Sequence, residues 1–117
     1  MSAKRGDRVA PPPAPGEWDL IFGTNDAAKG WDDLVRQAPG TLLDAWRLMR
    51  TDPTPSAPSS RQHRLKGSLA YGTHGGRPLA QWQIEVTGGG RIWYLVDVSS
   101  HRVLVMYAST RHPKATD

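Results

Sequence analysis

Apolar and polar positions recur with two different periods along this chain, and the change of period divides it in two. Residues 17–22 alternate with period two and predict a short strand ended by Gly23. Ala27, Trp31, Leu34, Val35 and Ala38 then recur at three- and four-residue spacing, which predicts an amphipathic helix capped by Thr24 or Asn25. Pro39 and Gly40 interrupt that stripe, and a second one follows with Leu42, Ala45, Trp46 and Met49 on one side. Two short helices with a tight connection make a helical hairpin. Residues 51–60 hold Pro53, Pro55 and Pro58 among small polar residues, the pattern of a stiff extended connector.

Beyond the connector the period is two, and the turns set a register. A two-residue turn at Gly75 and Gly76 places Leu65 opposite Val86, Gly67 opposite Ile84 and Leu69 opposite Trp82. A three-residue loop at Gly88, Gly89 and Gly90 pairs Val86 with Ile92, Ile84 with Tyr94 and Trp82 with Val96. A loop at Ser99 and Ser100 pairs Val96 with Val103, Tyr94 with Val105 and Ile92 with Tyr107. The expected core face is therefore Leu65, Leu69, Trp82, Ile84, Val86, Ile92, Tyr94, Val96, Val103, Val105 and Tyr107, covered by the helices because a one-sided sheet and an amphipathic helix pair each need the other. The expected fold class is α+β: an N-terminal strand, a two-helix hairpin, then a four-stranded antiparallel meander with the helices on one face.

The chain has 117 residues, enough for one domain. Residues 1–16 are basic and then Pro-rich, with little to bury, and are expected to form a disordered arm, leaving 17–117 as the single folded domain. Without cysteine, neither disulfides nor a thiolate zinc site is available, while histidine and carboxylate metal sites stay open at this point. No apolar run approaches a membrane span and the first residues lack a signal-sequence core, so the expectation is a cytoplasmic protein with no membrane partner.

The net charge of +4 is unevenly spread: up to Ser60 there are seven Lys or Arg against eight Asp or Glu, and from Arg61 onward eight against three. Such asymmetry favours a polyanionic partner. The register sharpens this, because it gathers Arg64, Lys66, Arg91, Arg111 and His112 at one end of the sheet, with Arg64, Lys66 and Arg91 on the face away from the helices. A basic pocket holding an imidazole is what cutting a phosphodiester requires. His112 among cations is the first acid/base candidate and His63 the second, although its parity with Leu65 on the core side favours a structural role. His74 and His101 fall at the opposite end. Arg61, Arg64, His63 and Lys114 are candidate RNA contacts, and Trp93 is placed to stack on a base. Trp93, Leu95, Leu104 and Met106 form an outward apolar patch that points to a protein partner, unless the Pro-rich arm or the first strand covers it.

This layout resembles the RelE/ParE superfamily of small bacterial toxins. The residues that carry the resemblance are 64–67 (Arg-Leu-Lys-Gly), 82–86 (Trp-Gln-Ile-Glu-Val), 91–97 (Arg-Ile-Trp-Tyr-Leu-Val-Asp) and the 111–114 end (Arg-His-Pro-Lys), within a match over 17–114. The resemblance implies the toxin of a toxin-antitoxin system, held in check by a cognate antitoxin on the outward patch. It further implies a metal-independent, ribosome-dependent endoribonuclease that cleaves mRNA, inhibits translation and arrests growth. Mapped by position, Lys66, Arg91, Arg111 and His112 are the implied catalytic residues. Gln83 stands where many nuclease members carry arginine, and the chain lacks the tyrosine that some carry near the C-terminus. These departures keep open a non-enzymatic, gyrase-poisoning toxin of the ParE branch, and a non-toxic RNA-binding module.

Overall fold

The structure is a computed structural model and describes residues 3–111. Strand β1 (Asp19–Phe22) leads into helices α1 (Asn25–Gln37) and α2 (Pro39–Thr51). The remaining strands are β2 (Gln62–Arg64), β3 (Tyr71–His74), β4 (Arg77–Glu85), β5 (Arg91–Asp97) and β6 (Arg102–Ser109). They form a mixed sheet in the order β1-β6-β5-β4-β2, with β3 also paired to β4. Only β1 runs parallel to its neighbour, β6. The fold is thus α+β, as its two periods require, but six-stranded where a meander of four after β1 was expected. Among the described residues no helix is long and apolar enough to cross a membrane.

The main core lies between the helices and one face of this sheet. Trp82, Ile84, Val86, Ile92, Tyr94, Val96, Val103 and Val105 are buried there against Ala27, Leu34, Leu42, Ala45 and Met49. Leu65 is buried outside this cluster and Leu69 only partly. Tyr94 hydroxyl donates to the Pro53 carbonyl at 2.7 Å and accepts from Gln62 Nε2 at 2.9 Å, tying the Pro-rich connector and β2 to the core. Burial raises this phenol above its ordinary value of 10, so it remains a donor.

The register departs from expectation at three places. Gly75 and Gly76, both with positive φ, make the expected turn, and Tyr71 pairs with Ala80 as that turn requires. The strand then breaks: a 3-10 turn at Gly67–Leu69 inserts residues, and β2 resumes with Gln62 opposite Ile84 and Arg64 opposite Trp82. The offset is five residues, an odd number, so side chains before the break change face. His63 consequently stands opposite Gln83 on the side away from the helices. Between β4 and β5 the offset is two, because the hairpin loop closes at Val86 N to Gly90 O (2.9 Å) and pairs Ile84 with Ile92. An even offset keeps every face, so the expected core residues stay inside.

The third departure is a bulge in β6. Tyr94 pairs with Val105 but Trp93 with Tyr107, leaving Met106 extra. Tyr107, expected in the core, turns outward and Ala108 takes its place. The reason lies in α1: Gly30 packs so closely on β6 that an added Cβ would overlap the Ala108 carbonyl. A tyrosine there would not fit beneath the helix. Thr24 connects both features, since its hydroxyl caps α1 by accepting from Ala27 N (3.0 Å) and donates to the Met106 carbonyl (2.8 Å).

The arm is ordered over residues 3–16, contrary to the disorder its composition suggests. Gly6 N and Val9 N donate to Phe22 and Leu20 carbonyls, each at 2.8 Å, and Val9 is buried. The buried Arg50 guanidinium donates to the carbonyls of Pro11 (2.7 Å) and Pro12 (2.9 Å), to Glu17 carboxylate, and lies 4.3 Å over the Trp46 ring. A segment poor in apolar surface is held instead by backbone pairing and one five-donor side chain.

Gly30→Ala is expected to destabilise the fold by about 1–3 kcal/mol or more, because helix and bulge must separate; an unchanged thermal midpoint would refute this packing. Acid should also weaken the arm. Glu17 is held below its ordinary value of 4.5 by the Ala14 amide and then by Arg50, Asp19 below 3.8 by Arg8, and Asp97 below 3.8 by Ser99. All three shifts are downward, so their stabilisation is complete above the ordinary values and is lost as pH falls through the lowered ones. The urea midpoint should drop as pH is lowered below about 4.5, and Glu17→Gln should flatten that drop while lowering the midpoint at neutral pH.

Candidate functional site

The face away from the helices is covered over one half and open over the other. Leu65 N donates to Gln81 O at 3.0 Å and Gln81 N to Ala70 O at 2.9 Å, so the looped-out segment between them starts and ends on one residue. Gln81 Nε2 donates to the Leu69 carbonyl at 2.8 Å and pins the loop from below. The β3–β4 end then curls over the sheet: a Cβ on Gly72 would lie 2.8 Å from Leu95 Cδ2. Leu95 and Leu104 are fully covered, so the expected exposed patch of Trp93, Leu95, Leu104 and Met106 does not exist as such. Only Trp93 and Met106 keep partial exposure. Open apolar surface lies elsewhere, in a cavity of about 250 Å³ between the helices that includes Trp31, Val35, Leu43 and Trp46.

On the open half, cross-strand pairing lines side chains up in rows. His63, Gln83, Trp93 and Tyr107 follow one another across β2, β4, β5 and β6. Gln83 Oε1 accepts from Trp93 Nε1 at 2.8 Å, and the Trp93 and Tyr107 rings lie 4.9 Å apart. Gln83 therefore fixes an aromatic surface. The next row is Arg61, Glu85, Arg91 and Ser109: Glu85 N donates to Arg61 O at 2.7 Å, and Arg91 pairs with both Glu85 and Ser109. Arg111, exposed, follows two residues later.

The expected site residues divide accordingly. Arg61, His63, Arg91 and Trp93 share this end and face, and Arg111 lies at the same end, in the bend past β6. Lys66 is exposed beside the Gln81 level, roughly 13 Å along the sheet from the Glu85 row and roughly 7 Å from the His63–Gln83 row, on its opposite side from Arg61 and Arg91. Arg64 is also withdrawn, since its guanidinium donates to Ala70 O at 2.8 Å and Gln81 O at 3.3 Å and lies 5.0 Å over Tyr71. Arg91 is in place but engaged. Its Nη1 donates to the carbonyls of Thr87 (2.9 Å) and Gly90 (3.0 Å), and its Nη2 is 3.5 Å from Glu85 Oε2. It is a buried positive charge that shapes the hairpin, and the exposed cations are Arg61 and Arg111. His112 and Lys114 lie outside the described residues. His101 stacks on Trp18 at 3.9 Å, a structural role.

Sequence reasoning missed Glu85, Gln83 and Tyr107 as members of this site. Glu85 and Gln83 were legible as outward-facing, but Tyr107 depends on the bulge. Within the row, His63 Nδ1 lies 3.0 Å from the Arg64 carbonyl. A carbonyl only accepts, so Nδ1 carries the proton in the neutral ring and Nε2 keeps its lone pair. The described site thus offers a proton acceptor, a carboxylate, a phenol, a stacked aromatic pair and three guanidinium groups. No group of three or more His, Asp or Glu is assembled as a metal site among the described residues. In comparisons with known proteins, no family model, curated protein or solved structure matches this chain.

Proposed function

We propose that this chain is the toxin of a toxin-antitoxin system and acts as an endoribonuclease on mRNA at the ribosome. The observation that carries this reading is the row of partly exposed His63, Trp93 and Tyr107 around the buried Gln83, with Arg61, Glu85, Arg91 and Arg111 at the same end of the sheet. Cleavage of a ribose-phosphate linkage needs a base for the 2'-hydroxyl, positive charge around the phosphate, an acid for the departing oxygen and a surface that fixes the bases. His63 Nε2 takes the proton as the 2'-oxygen attacks phosphorus. The bond from phosphorus to the 5'-oxygen breaks, and that oxygen leaves with a proton, giving a 2',3'-cyclic phosphate and a free 5'-hydroxyl.

In this reading Arg61 and Arg111 meet the phosphate oxygens, and the buried Arg91 adds field without leaving its carbonyl partners. Trp93, held by Gln83, and Tyr107 stack on bases next to the cut. His112, one residue past Arg111, is the remaining imidazole for the acid role. Lys66 takes no part in this reading, because it stands on the side of the His63 row away from Arg61 and Arg91. The partner antitoxin controls access to the open face from outside it, since Leu95 and Leu104 are already covered.

Induced expression is expected to stop translation and leave messages cut with 2',3'-cyclic phosphate ends; continued protein synthesis over intact RNA would sink the proposal. DNA-damage signalling ahead of any change in mRNA would instead select the gyrase-poisoning alternative. His63→Ala should lower the cleavage rate by about 10²–10⁴-fold with ribosome binding kept. Trp93→Ala should weaken RNA binding by about 1–3 kcal/mol. Lys66→Ala should leave the cleavage rate within twofold (about 0.4 kcal/mol), and a loss as large as that of His63→Ala would return Lys66 to the site.

A further inference from the structure

A second opening lies on the same sheet face, past the aromatic row. Ile21 and Met106, both partly exposed, form its floor over the buried Leu104, and it has a volume of about 550 Å³. One wall is the N-terminal arm at Arg5, fixed there by Arg5 N to Asn25 Oδ1 and Gly6 N to Phe22 O, each 2.8 Å. The other is the tip of the β3–β4 hairpin at Thr73 and His74, and Arg102 closes the lower end. The groove exists because two segments expected to be elsewhere flank this face: the arm pairs along the β1 edge, and the β3–β4 hairpin curls over the sheet.

Its charge is the informative property. Asp19 and Asp97 stand opposite Arg102 on the neighbouring strands. Each is already taken: Asp19 by Arg8 at 2.8 and 3.1 Å, and Asp97 by Arg77 at 2.9 Å. Among the described residues neither Arg102 nor Arg5 has an ion-pair partner. The groove thus combines an apolar floor for a base or ribose with a hydroxyl and two guanidinium groups that make no direct ion pair, Arg102 lying in the field of Asp19. Met106 adjoins Tyr107, so the floor runs into the stacked aromatic row. From Arg102 to Tyr107 along β6 is roughly 16 Å, a reach that a few nucleotides cover.

We propose that this groove is a second subsite for single-stranded RNA, in which Arg5 and Arg102 hold backbone phosphates a few nucleotides from the linkage at His63. It rests on the reading of the open face as an RNA site and extends it to a continuous track. The same cations would suit a free phosphate ion, and the test separates these sources.

The experiment measures binding of 2'-O-methyl oligonucleotides, which are not cleaved, by fluorescence anisotropy across a salt series. A trinucleotide and a dodecanucleotide are compared on the full chain and on the Arg5→Ala/Arg102→Ala double variant. Both side chains are exposed, and a thermal melt checks that the variant is folded. The dodecanucleotide should bind wild type at least tenfold more tightly than the trinucleotide. The double variant should lose that advantage, keep trinucleotide affinity, and show a salt slope smaller by roughly 1.4. A dodecanucleotide bound equally by both proteins overturns the groove and leaves the open-face reading standing. Failure of wild type to bind either oligonucleotide overturns both. If inorganic phosphate shifts the Thr73 and His74 amide resonances but length gives no advantage, the groove is a free-anion site and the RNA subsite is wrong.

Discussion

The open face depends on the way the backbone of Gln81 is shared. Its N–H and C=O are satisfied by Ala70 and Leu65, so the second strand leaves the sheet and returns to bracket one residue. Backbone groups inside a sheet must find partners, and here both ends of the excursion find theirs on Gln81 while its side chain bonds Leu69. Three consequences follow from that single arrangement. The excursion and the hairpin beyond it cover Leu95. The odd offset turns His63 outward. Lys66 is carried away from the Glu85 row. An unbroken strand would have reversed all three, giving an exposed apolar patch, an inward His63 and a lysine among the arginines.

The bulge in β6 acts in the same sense from the other edge. Close packing of Gly30 on Ala108 excludes a large side chain from the inner face, and Tyr107 moves out to meet Trp93. The released Met106 carbonyl is taken by Thr24, which also caps α1, so the bulge and the helix start are one hydrogen-bonded unit. Site residues therefore sit on strands whose irregularities are fixed by the core rather than on mobile loops. That is the condition under which weak individual contacts combine into a defined geometry.

Much of the fold was legible because its information is periodic. The helix stripes, the Thr24 cap, the Gly75–Gly76 turn and the identity of the inward residues on β4 and β5 all follow from spacing. Face assignment survived a wrong pairing between β4 and β5 because the error was even. What was not legible depends on tertiary contact. Gly67, with positive φ, and Gly72 stand within what was read as one strand, and isolated glycines in a strand signal a bulge or a close approach. Gly30 in a helix interior is a signal of the same kind. The ordered arm left less trace, since Arg50 is an unremarkable arginine in sequence and its partners are proline carbonyls with no side-chain pattern.

The candidate site also changes in character once partners are counted. By composition it was a cluster of interchangeable cations; by geometry the arginines have separate tasks. Arg64 closes the loop over Gln81, Arg91 closes the hairpin, and Arg50, Arg8 and Arg77 hold the arm and sheet edge. A guanidinium already bonded to two carbonyls is oriented before any ligand arrives. The arginines left to meet an anionic ligand among those considered are Arg111, Arg5 and Arg102, with Arg61 held only by a 3.3 Å bond to the Glu85 carbonyl, and they lie towards the two ends of one face, while the exposed Lys66 stands at the Gln81 level. Between them stand His63, Trp93, Tyr107 and Met106, which carry no permanent charge. A face with cations at its ends and rings at its middle suits an extended strand of alternating phosphates and bases better than a compact anion, which would engage one end only.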